Sequence, residues 1–392
     1  MKYQERDIAS LSFFVCAVEK AAKLWYNKSF SGERRCHMDV SAERARIAAH
    51  CSRYSALQVT DLFKFLHHST FGCAHLVGDV TAAEEWLQRE MDTCSSCCQT
   101  VEALSGGFCR VHLHHLRALG VSARSFARLF ALSAEKTAGS TEELEARLSL
   151  ALDMARQGLL PFSREELAAA AQAWRQAGYP VQHHSAAFRT AYHPAYRVLH
   201  SSHAALLPLL AAIDTHLAAQ KRMILAIEGG AGSGKSTLAA LLQRIYGCTV
   251  LHMDDFFLRP EQRTPERYAT PGGNIDHERF AREVLPALVQ GETFRYRPFD
   301  CATFTVTEGY DVTPTALTVV EGSYSMHPAL GQYYDCAVWV DIDPQTQRAR
   351  IEARNSPAFA ARFFTEWIPL EQAYFAAADP AGRCHIRLEV SL

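Results

Sequence analysis

The densest chemistry in the chain lies in the stretch EGGAGSGKST, from Glu228 to Thr237. Gly229, Gly234, Lys235 and Ser236 satisfy the spacing G-x-x-x-x-G-K-[ST], the Walker A pattern. Glycines suit this spacing because a backbone without side chains can turn its N–H groups inward onto phosphate oxygens. Gly229, Gly230, Ala231, Gly232, Ser233, Gly234, Lys235, Ser236 and Thr237 are therefore expected to cradle the phosphates of a nucleotide. Lys235 would reach the β- and γ-phosphates, and Ser236 would be a ligand of Mg²⁺. A chance glycine-rich turn would lack the flanks seen here, an apolar MILAI in front and a helical STLAALLQRIY behind.

Three acids follow the loop at places where acids can act. Asp254 and Asp255 close the run CTVLHMDDFF, and Glu321 closes ALTVVEGSY. The C-terminal end of a strand is the ligand edge of an open parallel sheet. A carboxylate there can take the proton of an attacking hydroxyl as a phosphoryl group moves, or hold Mg²⁺ directly or through water. Asp254 is expected to be the base, with Asp255 in reserve, and Glu321 to help place the metal. Acids at strand ends also serve as caps and loop anchors. A phosphate loop on the same edge favours the chemical role.

The elements that position these groups change character near residues 200–220. Before that point the chain reads as helices. TAAEEWLQREM, TEELEARLSLALDMARQ and SREELAAAAQAWRQAG place apolar residues at helical spacing. Acids stand just after Thr141 and Ser163, as at helix N-termini, and Gly178 is a stop. Beyond residue 220, MILAI, CTVLH, ALTVV, CAVWV and CHIRLEV are short β-rich runs separated by helical stretches. Such alternation predicts a five-stranded parallel sheet with helices on both faces, an α/β P-loop NTPase fold preceded by an all-α domain. The expected division is 1–205 and 206–392, with 206–221 as a connecting helix.

Composition narrows the partners. The 392 residues are 48% hydrophobic and 21% charged, with a formal net charge of -2. That balance offers no basic surplus for a nucleic-acid backbone. The first residues lack the apolar core of a signal peptide, and the most apolar window, His203–Ala219, is broken by Pro208, Asp214 and His216. A cytoplasmic protein without a membrane segment is expected, and a homo-oligomer is compatible with the sequence. The 12 cysteines are scattered, apart from Cys94, Cys97 and Cys98 in CSSCC. With Cys109, His112, His114 and His115 downstream they could bind metal, but the spacing is not that of a zinc finger, so packed or surface cysteine is the expectation.

From about Met223 onward, the motifs in their order resemble the P-loop kinases of the uridine kinase, phosphoribulokinase and pantothenate kinase group. GGAGSGKST is similar to their loop, HMDDFF to the strand end whose first Asp is the base, and NIDHERF to a segment whose Asp contacts substrate. YRPFDC is similar to their P-x-Y-D-F segment and VVEGSYS to their V-x-E-G strand. The resemblance implies ATP and Mg²⁺ as reactants and a small-molecule alcohol as acceptor. It assigns Asp254 as base, and Asp255, Asp276, His277, Phe299 and Asp300 to the acceptor side. DPQTQRARIEARN resembles their lid, which implies that Arg350 and Arg354, with Arg362 beyond, close over the phosphoryl group.

Two departures fall on the acceptor side. Phe304 stands where uridine kinases carry a His, and RFFTEWIPLEQAYF is longer and more aromatic than their lid. Arg259, Arg263, Arg267 and Arg279 lie in or just after a loop expected to border the acceptor, as anion ligands or as solvated charge.

The first half resembles no family with a known function. His67, His68, Cys73 and His75, and then His183, His184, Arg189, Tyr192, His193, Tyr196 and Arg197, form two dense groups. An ordinary helix face with hydrogen-bonded His and Tyr tips is the favoured expectation, and an anion or ligand pocket the other. For the whole chain, small-molecule phosphoryl transfer is expected. The alternative is a nucleotide-dependent switch, which would have no need of the HMDDFF and NIDH segments.

Overall fold

A computed structural model describes residues 38–72, 80–95, 100–136 and 139–389. The chain forms two compact units that part between Ala211 and Ala212, within the helix Leu207–Ala219.

The first unit is mainly helical. The helices Thr141–Arg156 and Arg164–Gln176 begin where their residue types require. The hydroxyls of Ser140 and Ser163 accept the N–H groups of Glu143 and Glu166 at 3.3 and 3.1 Å, and two glutamates occupy each first turn. Leu144, Leu148, Ala151 and Met154 repeat at helical spacing and are all buried.

The all-helical expectation needs one amendment. The unit also contains a three-stranded antiparallel sheet, ordered β1 (Val101–Ala103), β2 (Phe108–His112) and β3 (Tyr196–His200). Its strands carry no simple alternation, because every residue of β2 is buried, Arg110 and His112 included. The β2–β3 pairing joins Phe108 to His200 and His112 to Tyr196, partners too distant in sequence for any local turn to announce.

The second unit carries the expected five-stranded parallel sheet, flanked by helices. Its strands are β4 (Met223–Glu228), β5 (Thr249–His252), β10 (Leu317–Glu321), β11 (Cys336–Val340) and β12 (Ile386–Leu388). Two short hairpin pairs lie between β5 and β10 in sequence: β6 (Phe294–Tyr296) with β9 (Tyr310–Val312), and β7 (Phe299–Asp300) with β8 (Thr305–Val306). The order is β12-β11-β4-β10-β5, all parallel. β10 and β11 are buried along their whole length, which explains their unbroken apolar runs.

The chain leaves β4 for β5 on one side and later places β11 on the other, so the crossovers diverge at the C-terminal end of β4. That end is where a doubly wound sheet opens a crevice. β4, β5 and β10 all end there, at Glu228, His252 and Glu321. Among the described residues no helix is long and apolar enough to cross a membrane.

Leu225, fully buried in β4, tests the sheet core. Leu225→Ala should lower unfolding free energy by about 2–5 kcal/mol, against about 1 kcal/mol for the cap variant Ser163→Ala. Urea unfolding followed by circular dichroism measures both.

Candidate active site

The loop between β4 and the helix Lys235–Tyr246 needs glycine for two physical reasons. Gly229 has φ +149°, and a Cβ there would lie 2.6 Å from the carbonyl oxygen of Val340. Gly234 caps the helix with φ +107°, so Lys235 is its first residue. The helix thus presents its N-terminus and the side chains of Lys235 and Ser236 at the sheet edge. Lys235 is buried, and its Nζ donates to the carbonyl oxygens of Gly229 and Gly230 at 2.8 and 2.9 Å.

Glu321 and Ser236 come together across the edge. Ser236 Oγ donates to Glu321 Oε1 at 3.0 Å, and His252 Nδ1 lies 2.6 Å from the same oxygen. Hydrogen bonding to Glu321 raises the His252 pKa above its ordinary value, despite partial burial. A hydroxyl and a carboxylate beside a phosphate loop are hard oxygen donors of the kind Mg²⁺ takes. Among the described residues no group of three or more His, Cys, Asp or Glu side chains gathers as a metal site. Cys97 and Cys98 of the CSSCC cluster, and Cys73 and His75, lie outside the described residues.

Asp254 stands on the single 3₁₀ turn that follows β5. Gly322, at φ +136°, lets the β10 end approach this turn, since a Cβ there would meet Met253 Cβ at 2.8 Å. Asp254 opens onto a cavity. The protein packed around it still dehydrates the carboxyl enough to raise its pKa, with Lys235 opposing and Glu321, Glu371 and Asp255 adding.

The cavity measures about 1220 Å³. This exceeds the roughly 300–1,000 Å³ of a pocket for one small ligand, so a nucleotide and a second molecule have room. Its wall includes Ala231, Gly232, Gly234, Lys235, Ser236, Thr237, Asp254 and Glu321. Arg350, Arg354 and Arg362 line it as well. Arg350 donates to the carbonyls of Gly232 and Ser233 at 3.1 and 3.2 Å, which ties the helix Pro344–Arg354 to the loop. Arg354 lies over the ring of Phe363, and Arg362 over Trp367 while paired with Glu366. Phe359, Phe363 and Trp367 pack edge to face and give the cavity an aromatic side.

The residues expected on the acceptor side stand behind this wall. Asp255 accepts the Tyr296 hydroxyl at 2.7 Å. Asp276 is buried and caps the helix His277–Glu283 by accepting the Arg279 N–H at 3.1 Å. His277 stacks on His327 with ring centres 4.1 Å apart. Phe299 is buried beneath Arg263, and Asp300 accepts the Ala302 N–H and the Thr303 hydroxyl at the β7–β8 turn. Arg263, Cys301 and Phe304 line the cavity instead, and Phe304 also borders a second cavity of about 360 Å³ lined by Arg259, Arg279, Arg282 and Arg297.

Three residues that motif reading did not single out hold the loop. Glu228 is fully buried, and its carboxylate accepts the N–H groups of Gly229, Tyr324 and Met326 and the Tyr374 hydroxyl, each at 3.1 Å. Glu371 accepts the Ala231 N–H at 2.9 Å and the Ser323 hydroxyl at 2.6 Å. Ser323 also donates to the Gly229 carbonyl at 2.9 Å. Glu228 stands directly before the glycines, which is its only sequence signal. Glu371 carries none.

No family model matches the chain. Among solved structures, it is similar to a possible uridine kinase from Bacillus stearothermophilus, with 21% identity and TM-score 0.36, over 45% of this chain and 95% of that one. A protein provisionally described as a fructose transport system kinase from Silicibacter sp. TM1040 has 24% identity and TM-score 0.36, over 43% and 90%. TT1252 from Thermus thermophilus has 19% identity and TM-score 0.25, over 44% and 91%.

Burial lifts the Glu228 pKa to about 7, against the opposing pull of its N–H donors and Lys235. Between the unfolded value near 4.5 and 7, the folded state holds the extra proton, so stability must fall as pH rises through that window. The loss should reach roughly 1–3 kcal/mol in urea unfolding between pH 5 and pH 8. Glu228→Gln should flatten that slope.

Proposed function

We propose that the chain is an ATP- and Mg²⁺-dependent phosphotransferase of the uridine kinase-like kind, which moves a phosphoryl group onto a hydroxyl of a small molecule. The supporting observation is the meeting of Lys235, Ser236, Asp254 and Glu321 on the wall of one cavity. These residues come from three separate strand ends of one parallel sheet. A switch would use the loop, the hydroxyl and the strand-end acid. It has no use for an aspartate facing space for a second molecule.

In this reading the loop amides and Lys235 bind the nucleotide phosphates. Lys235 exchanges its carbonyl partners in Gly229 and Gly230 for phosphate oxygens. Ser236 and Glu321 would hold Mg²⁺, which supplies positive charge to the phosphates when bound. Asp254 accepts the proton of the acceptor hydroxyl as the new oxygen–phosphorus bond forms and the bond to ADP breaks. Its raised pKa makes it a better proton acceptor than an ordinary surface aspartate. Arg350, Arg354 and Arg362 offset charge on the transferring group from the far wall.

Asp255, Asp276, His277, Phe299 and Asp300 shape the acceptor side from one layer back, and Arg263 and Phe304 face the acceptor. Residues 206–392 form the catalytic part, with 1–205 as a module of separate role. A cytoplasmic location suits a reaction that consumes ATP.

The test is incubation of the full chain with ATP, Mg²⁺ and a mixed panel of nucleosides, sugars, sugar phosphates and hydroxy acids. Mass spectrometry should find one panel compound gaining a single phosphoryl group, and Lys235→Ala should abolish the product. Asp254→Asn should lower turnover by about 10²–10⁴-fold while ATP still binds. Near-native turnover in Asp254→Asn would remove the base assignment. ATP binding with no phosphorylated product would favour the switch.

A further inference from the structure

The mainly helical unit has a buried charged cluster of its own, and none of the chemistry above uses it. Arg110, in the middle of β2, is 1% exposed. Its guanidinium has one polar protein partner, Glu102, at 3.2 Å through Nη1. Nε and Nη2 are buried and have no hydrogen-bond acceptor among the described residues. The Tyr196 and Phe65 rings lie 4.8 and 5.6 Å from its central carbon. His68, 2% exposed and also beside the Tyr196 ring, has no hydrogen-bond partner among the described residues for either ring nitrogen.

Arg279 in the other unit, whose Nε likewise has no hydrogen-bond partner among the described residues, shows a structural arginine with both terminal nitrogens used. It is equally buried, but its two terminal nitrogens donate to the carbonyls of Arg297 and Asp255, each at 2.6 Å. Glu102 cannot do as much for Arg110. Its two oxygens are shared among Arg110, His50, Tyr54 and Arg53. Asp61 is taken up by His184, Ser185 and the Gln58 N–H.

Burial holds His50 and His112 near pKa 4 and holds His68 well below the usual imidazole range, so these histidines stay neutral. Lys64, half-buried nearby, senses the charges of both Arg110 and Asp61. Among the buried and half-buried groups two cations, Lys64 and Arg110, face two anions, Glu102 and Asp61, and Arg53 reaches Glu102 from the exposed surface. Arg110 Nε and Nη2 nevertheless stay buried without an acceptor among the described residues, an expensive arrangement in a protein interior unless a bound group supplies one.

We propose that this unit binds a small oxyanion, a carboxylate or a phosphate group, with Arg110 and His68 as its direct ligands and Tyr196 positioning both. Arg110 offers the forked N–H edge that such groups accept. His68 in its neutral form adds one N–H donor. His184 and Asp61 hold the Tyr196 hydroxyl side, since His184 joins Asp61 at 2.7 Å and Tyr196 at 2.6 Å. The site is separate from the phosphate loop and stands whether or not phosphoryl transfer occurs.

The test is calorimetric titration of the full chain carrying Lys235→Ala, which removes the phosphate loop as a competing anion site. Inorganic phosphate and acetate are the two probes, and the tighter of them identifies the group recognised. Saturable binding of one probe is expected, weakened at least about tenfold by Arg110→Gln. His68→Leu is the companion variant. It removes buried nitrogens that have no hydrogen-bond partner among the described residues, so it should fold at least as stably as the parent and still bind the probe several-fold more weakly. Binding of neither probe up to tens of millimolar overturns the proposal. So does binding that both variants leave unchanged, or a His68→Leu variant that gains stability with no change in affinity.

Discussion

A single buried carboxylate sets the frame for the candidate active site. Glu228 ends β4 with both oxygens inside the protein, where they gather donors from three segments. One is the first amide of the phosphate loop, two are amides after β10, and the fourth is the Tyr374 hydroxyl on the helix Ile368–Ala378. An acceptor of this kind leaves few alternatives, because each buried donor that lost it would go unpaired. The loop, the strand carrying Glu321 and the helix carrying Glu371 are thereby referenced to one point.

The loop built on that point is tied to its surroundings by several hydrogen bonds, although the buried Ser233 hydroxyl has no partner among the described residues. Lys235 bonds to its carbonyls, Arg350 to two more, Gln347 to the Ala231 carbonyl, and Glu371 to the Ala231 N–H. In the proposed function, phosphate binding exchanges these partners, and the exchange reaches the helices Pro344–Arg354 and Ile368–Ala378. Both helices also form walls of the cavity. Binding at the loop and the shape of the space beside Asp254 are thus coupled through named hydrogen bonds, without a special hinge.

How much of this was legible in the sequence follows from the range of each interaction. The phosphate loop is local, so its spacing could be read. The five strands of the parallel sheet were legible because burial on both faces leaves unbroken apolar runs. The small antiparallel sheet was not, because Arg110 and His112 break the pattern of β2 and its partner β3 lies far away in sequence. Asp254 and Glu321 could be placed because a strand end has a known edge. NIDH reads the same whether its aspartate faces a ligand or caps a helix, so the helix cap that Asp276 Oδ1 forms was not legible. Glu371 and Arg110 owe their interest to tertiary partners alone: the Ala231 amide and Ser323 for one, the scarcity of acceptors for the other.

The central claim is that the phosphoryl group passes to an organic hydroxyl beside Asp254 and not to water. Turnover in H₂¹⁸O with ATP, Mg²⁺ and an acceptor mixture tests this most directly. The account predicts a phosphorylated organic product whose phosphoryl oxygens carry no solvent label. Inorganic phosphate carrying ¹⁸O as the sole product would contradict it and identify water as the nucleophile.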